Sequence, residues 1–113
     1  MIEKIIYDFL TVRAPFPVLM EIPAGDATPP YAVIQKTSGG EMDGHIGTAT
    51  LAIQSYGATL YEAAQANELV KLLMASAPDL PDVARCRCSS DYNFTDTASK
   101  AYRYQAVFDI IHY

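Results

Sequence analysis

A chain of 113 residues is the length of one domain, and such a chain buries roughly two-thirds of its unfolded surface without metal or disulfide support. Half of its residues are hydrophobic, eight are tyrosine and none is tryptophan, which favours a folded domain with β-structure over a disordered chain. The formal net charge of −5 and the scattered Lys and Arg residues argue against specific nucleic-acid binding and against an anionic membrane surface.

The sequence also bears on compartment and redox state. No run approaches the ~20 apolar residues of a membrane span, and the N-terminal stretch Met1–Ile6 lacks the layout of a cleavable signal. We therefore expect a protein that is made and assembled in a cytoplasm. Cys86 and Cys88 would lie about 6.5 to 7 Å apart on one side of a strand, too far apart for an undistorted disulfide, so both are predicted to be free thiols.

The first third of the chain predicts one helix and two strands. Residues 1–12 place apolar side chains on one helical face, and the prolines of residues 13–17 end the helix. Residues 18–22 predict a short edge strand. After a turn-rich segment, Tyr31–Thr37 is rich in β-branched and aromatic residues and predicts a stronger strand.

The middle of the chain is the stretch around which the rest is organised. Thr48–Tyr56 alternates in the manner of a strand, with Leu51 and Ile53 on one face. The segment Thr59-Leu-Tyr-Glu62 then matches a capping box, in which the Thr hydroxyl and the Glu carboxylate satisfy backbone donors at a helix N-terminus. The spacing of the apolar residues that follow predicts a helix to Met74.

A glycine-rich segment, residues 38–47, separates these two strands. Four glycines in ten residues predict a mobile loop that joins the strands of a hairpin, and loops of this length usually have a function. One interpretation is a contact arm that becomes ordered when a partner binds, and the other is a mobile tip without a function. Phosphate-binding loops lead into a helix, whereas this one leads into a strand. The candidate contact residues are Gly39, Gly40, Glu41, Met42, Asp43, Gly44 and His45.

The last third predicts two more strands. Residues 82–90 predict a strand with Val83, Arg85 and Arg87 facing opposite to Ala84, Cys86 and Cys88. Residues 91–100 predict a polar connection. Residues 101–113 form the longest β run, with Tyr102, Tyr104, Ala106, Phe108 and Ile110 on one face, and so apolar a strand is expected to be central or covered by a partner. The element order predicts a single α+β domain, residues 1–113, with two helices on one face of a mainly antiparallel sheet.

No group of residues predicts chemistry. Asp91 and Asp96 flank an aromatic loop, but no base or nucleophile is expected beside them, so capping of turns is the favoured role. A Cys-x-Cys pair with the distant His45 and His112 lacks the ligand spacing of a metal site. We therefore expect no enzyme, metal or cofactor. The eight tyrosines instead favour an assembly protein, because Tyr is enriched at interfaces.

Four motifs carry a resemblance to a known family. They are Pro29-Pro-Tyr-Ala-Val-Ile34 in a strand, Ala52-Ile-Gln-Ser-Tyr-Gly57 at a strand end, Glu62-Ala63 at a helix start, and the late run Arg103–Ile110. In this order, after an N-terminal helix, they span nearly the whole chain. The layout resembles the small tail-completion, or tail-terminator, proteins of long-tailed bacteriophages, which share the fold of the lambda-type tail terminator.

The resemblance implies a structural role in a phage or prophage virion. Family members cap the tail tube, usually as a ring of six subunits, and form the surface on which the head docks. The implied partners are other copies of the chain, the tail tube protein and a head-completion or connector protein, at the head-proximal end of the tail. Gly39–Gly47 is then the first candidate contact, and residues 91–100, with Asp91, Tyr92 and Asp96, are the second.

Two other interpretations of the sequence are open. One is a neighbouring role in the same assembly, as a head-side connector or a minor tail protein. The other is a small α+β ligand-binding or enzymatic domain, which would need polar groups that converge on a pocket.

Overall fold

A computed structural model describes residues 1–25 and 27–113, and neither helix in that part of the chain is long and apolar enough to cross a membrane. The predicted order of helices and strands is confirmed. The elements are α1 (Ile2–Thr11), β1 (Val18–Leu19), β2 (Tyr31–Asp43), β3 (Ile46–Tyr56), α2 (Leu60–Met74), a short 3-10 turn (Ala77–Asp79), β4 (Val83–Asn93) and β5 (Arg103–His112).

The strands form one sheet in the order β1-β2-β3-β5-β4. Only the two-residue edge strand β1 runs parallel to its neighbour, and every other pair is antiparallel. Both helices pack on the same face of this sheet, so the predicted α+β class is confirmed. The predicted interior position of the last strand is also confirmed, because β5 lies between β3 and β4.

The start of α2 follows from the predicted capping box. The Thr59 hydroxyl accepts a hydrogen bond from the Glu62 N–H at 3.1 Å, and the Glu62 carboxylate accepts one from the Ala58 N–H at 2.7 Å. Gly57 joins β3 to this helix. A Cβ atom at Gly57 would lie 2.3 Å from the backbone nitrogen of Ala63, so only glycine lets the strand end and the helix start approach so closely.

The hydrophobic core lies between the helices and one face of the sheet. Leu51 and Ile53 project into it from β3, as the alternation predicted, and Phe108 and Ile110 project into it from β5. Burial of each such side chain stabilises the fold by about 1.5 to 3 kcal/mol. The helices cover this face with Ile6, Phe9, Leu10, Val70 and Met74. No helix in the described part of the chain packs on the opposite face, which we call the open face.

One predicted strand face is wrong. The register of β4 against β5 shifts between Val83 and Arg85, because an extra residue bulges out of the ladder there. Val83 is therefore buried in the core together with the half-buried Cys86, whereas Arg85 and Arg87 are exposed on the open face. The prediction that grouped Val83 with the two arginines had assumed an unbroken alternation.

Candidate functional site

The segment 38–47 is a β-hairpin with one register shift, between Glu41 and Asp43, so the prediction of a mobile loop is wrong. β2 continues to Asp43 and β3 begins at Ile46, which leaves a turn of two residues. Gly39 and Gly40 have extended backbones without a positive φ and pair with the start of β3. We call this hairpin the arm. The predicted contact residues on the arm are all exposed: Gly39, Gly40, Glu41, Met42, Asp43, Gly44 and His45.

The arm lies at one edge of the sheet, and its β3 half pairs with β5 from Gly47 onward. β1 pairs only with Ala32 and Val33, so the remainder of β2 has β3 as its sole strand neighbour within residues 1–25 and 27–113. The outer side of the arm thus presents backbone donors and acceptors that no strand covers. Glu41 and Asp43 give it an acidic character, and neither lies within 4.0 Å of a cationic side chain in the described residues.

β4 forms the opposite edge of the sheet and carries the opposite charge. It pairs with β5 alone among the described strands. Arg85 and Arg87 lie on the open face, where they line a shallow groove of about 190 Å³ with Asp109 and Ile111. Asp109 accepts a hydrogen bond from Thr50 at 3.1 Å, and no carboxylate of the described chain lies within 4.0 Å of either arginine.

The residues of the second predicted contact region do not form one site. Asp91 was predicted in a polar connection, but β4 runs on to Asn93, and a second register shift between Cys88 and Ser90 turns Asp91 toward α2. Its carboxylate accepts hydrogen bonds from Asn67 Nδ2 and Lys71 Nζ, both at 3.0 Å. Asp91 therefore joins β4 to the covering helix, and capping of a turn is the wrong role for it.

The two acids beside Lys71 change its pKa. Hydrogen bonds to Glu68 and then Asp91 raise the pKa of Lys71 above its ordinary value. The ammonium group is thus held in its charged form. The cluster strengthens a contact within one chain, and no group in it is placed to act as a nucleophile.

Asp96 has the predicted role of a turn cap. The Ser99 hydroxyl and the backbone N–H groups of Ala98 and Ser99 hold the pKa of this carboxyl below its usual value. Tyr92 is separate from both acids in its contacts: it lies 42 % exposed and meets Phe94 edge to face at 5.8 Å. The structure thus distributes Asp91, Tyr92 and Asp96 over three different environments.

The open face is closed by side-chain hydrogen bonds in place of a helix. Gln54 Nε2 donates to Gln105 at 2.9 Å and to Gln35 at 3.3 Å, which links three neighbouring strands. The Tyr56 hydroxyl donates to Gln54 at 3.2 Å and accepts from Arg103 at 2.9 Å. Gln54 is only 5 % exposed as a result. These side-chain hydrogen bonds could have been predicted from the sequence, since all three glutamines fall at outward-facing strand positions.

The remaining groups offer little for chemistry. Cys86 and Cys88 are free, as their spacing predicted, and burial raises the pKa of the Cys86 thiol to about 11, which keeps it protonated and unreactive near neutral pH. No three His, Cys, Asp or Glu side chains of the described residues lie close enough together to hold a metal ion. A groove of about 650 Å³ lies between α1 and the segment after β1 and is mostly apolar.

Comparison with known proteins adds no relative: no protein-family model matches the chain, and no curated protein matches it significantly.

Proposed function

We propose that this protein is a structural subunit of a long-tailed phage or prophage that caps the tail tube and forms the joint to the head, as an oligomeric ring of the tail-terminator kind. The observation that carries the proposal is the shape of the sheet. It has helices on one face, an open face on the other, and two edges that no strand covers in the described residues, formed by the β2 side of the arm and by β4.

The positions of the four resemblance motifs support this proposal. Pro29–Ile34 leads into β2, Ala52–Gly57 ends β3, Glu62-Ala63 lies in the first turn of α2, and Arg103–Ile110 fills β5. Each motif thus occupies the kind of element that the resemblance implies, in the implied order.

A ring requires two different surfaces on each subunit that complement one another. The arm and the β4 edge are two such surfaces, and they lie on opposite sides of the sheet. In the proposed ring the arm contacts the tail tube or the next subunit. The acidic net charge of −5 suits a channel through which DNA slides without adsorbing. A basic channel in an assembled ring would exclude this last point.

Electron microscopy of lysates from the native phage with this gene deleted tests the proposal. Full heads beside detached tails of irregular or excess length are the expected result, because an uncapped tube continues to grow and offers no surface to the head. Supply of the intact gene from a plasmid should restore joined particles, and the same plasmid without the gene is the control. Intact infectious particles from the deletion strain would refute the proposal.

The same micrographs separate the neighbouring role. Tails of normal length beside heads that leak DNA would assign the protein to the head-side connector, since the tube would then be capped by another protein.

A further inference from the structure

We infer that copies of this chain associate head to tail through their sheet edges, with the outer edge of the arm of one copy paired to β4 of the next. This inference rests on the proposed function, for which it supplies the contact between subunits. It starts from two edges that no strand covers in residues 1–25 and 27–113: β2 beyond Val33, and all of β4.

The topology makes the contact antiparallel. β3 runs opposite to β2, β5 opposite to β3, and β4 opposite to β5, so β2 and β4 of one chain run in opposite directions. A neighbour placed by rotation about an axis along the strands keeps its strand directions. Its β2 therefore meets β4 of the first copy in the antiparallel sense, which is the more stable of the two ladder types.

Each edge has a regular segment of four residues, and the two segments share three rows of the sheet. Register shifts flank Ser38–Glu41 on β2 and Arg85–Cys88 on β4, so each edge offers four residues between two irregularities. Pairing across the sheet sets Gly40 in the row of Arg85, through Thr48 and Ile111. A contact between Arg85 and Gly40 of the next copy would simply continue this row. The irregularities on either side limit the ladder to these segments.

Charge favours this pairing over the symmetric ones. The arm carries Glu41 and Asp43 and has no Lys or Arg in residues 38–47, whereas β4 carries Arg85 and Arg87. Asp109, opposite Arg87, is the acidic side chain already on that face and is bonded to Thr50. In this register Gly40 and Ser38 lie across from Arg85 and Arg87, and the acids of the arm follow them along the same edge, with Glu41 in the row of Val83. The attraction is therefore between neighbouring rows and not between directly opposed side chains. An arm on an arm, or β4 on β4, would place like charges together, and like charges across strands are destabilising.

Gly40 has no packing role within one chain, whereas Gly39 leaves room for the Lys36 side chain. Neither glycine has a positive φ. A Cβ at Gly40 would meet only the Thr48 hydroxyl, at 3.2 Å, and a Cβ at Gly39 would come within 3.0 Å only of the flexible end of Lys36. Glycine inside a strand weakens it and often marks the close approach of another backbone. The bare segment leaves room for the Arg85 side chain of a neighbour.

Sedimentation of the purified chain at concentrations up to about 1 mM tests the contact, since even a Kd in that range is then detected. We expect multimers of the intact chain. The arm-reversed variant, E41K/D43K, and the edge-reversed variant, R85E/R87E, should each associate at least about tenfold more weakly, which is 1.4 kcal/mol. A chain with all four substitutions should regain association. The variant D8K/E68K, which changes two exposed acids on the outer surfaces of α1 and α2, is the matched control and should associate as the intact chain does.

Three results would overturn the inference: a monomer at every concentration, full association of both reversed variants, or no recovery when the four substitutions are combined. An edge-reversed variant that alone associates normally would indicate arm-to-arm pairing. The outcome is separable from that of the proposed function. Charge-dependent association together with intact particles from the deletion strain would refute only the function, and detached tails together with association that ignores charge would refute only this contact.

Discussion

The two faces of the sheet are held together by different forces. The covered face is apolar, and its side chains, such as Leu51 and Phe108, are almost fully buried beneath α1 and α2. The open face reaches comparable burial at Gln54 and Tyr56 by joining polar side chains across strands. The first face depends on the exclusion of water, and the second depends on hydrogen bonds that must all be made.

The two regions therefore contribute differently to the free energy of folding and to the exposed surface. The covered face supplies most of the free energy of folding, because apolar burial is the dominant favourable contribution. The open face and the arm form a surface that is ordered within the single chain. A preformed surface of this kind loses less conformational entropy on association than a mobile loop would. Variants in the two regions should therefore differ both in the size and in the kind of their effects.

The largest effect is expected on the covered face. Phe108→Ala should lower the free energy of unfolding by about 3 to 5 kcal/mol, because it removes a ring that is 2 % exposed and leaves a cavity. Met42→Ala on the arm, where the side chain is 61 % exposed, should change it by less than about 0.5 kcal/mol. Urea denaturation followed by circular dichroism measures both. Similar losses in the two variants would show that the arm belongs to the cooperative core.

A smaller loss, about 2 kcal/mol, is expected from Gln54→Leu on the open face. Leucine is close in size but leaves Gln35, Gln105 and Tyr56 without their shared partner. Gln65→Leu, at an exposed position of α2, is the matched control and should be nearly neutral. Equal stability of the two variants in urea would mean that water replaces these side-chain hydrogen bonds without cost, and the contrast between the faces would then disappear.

Asp91→Ala tests the link between β4 and the covered face, with an expected loss of about 1 kcal/mol. The substitution leaves Asn67, which is 1 % exposed, with a buried donor that has lost its partner. Thermal unfolding should show a lower midpoint, and the exchange of amide protons should rise in β4 more than in β3. If protection falls evenly across the sheet, the carboxylate has no local role at this edge.

The parts of the fold that the sequence predicted correctly are those decided by neighbours in the chain. The capping box of Thr59 and Glu62 acts over three residues, so it can be recognised without knowledge of the sheet. The face of β5 that carries Phe108 follows from an alternation that no bulge interrupts. In both cases the local pattern and the final packing agree.

The errors fall where pairing between distant strands decides the outcome. Gly39 and Gly40 have the composition of a loop, but the start of β3 offers them a ladder and they extend into it. The bulges beside Ala84 and Ser89 leave no mark in the sequence, and each reverses the face of every residue after it. That is why Val83 was predicted on the wrong face, and why the contact of Asp91 with α2 was not predicted.

The smallest change in the free energy of unfolding is expected at Gly40, where the sign of the change is the informative result. Gly40→Ala should stabilise the isolated chain by about 0.5 kcal/mol, because alanine loses less conformational freedom than glycine in a strand and only the Thr48 hydroxyl must move slightly. Gly57→Ala is the matched contrast and should destabilise the chain, since its Cβ would lie 2.3 Å from backbone. Urea midpoints give both signs. If Gly40→Ala also weakens association in sedimentation, the glycine serves the neighbouring copy at the expense of its own chain; a loss of stability in urea would instead show that glycine is required within the arm itself.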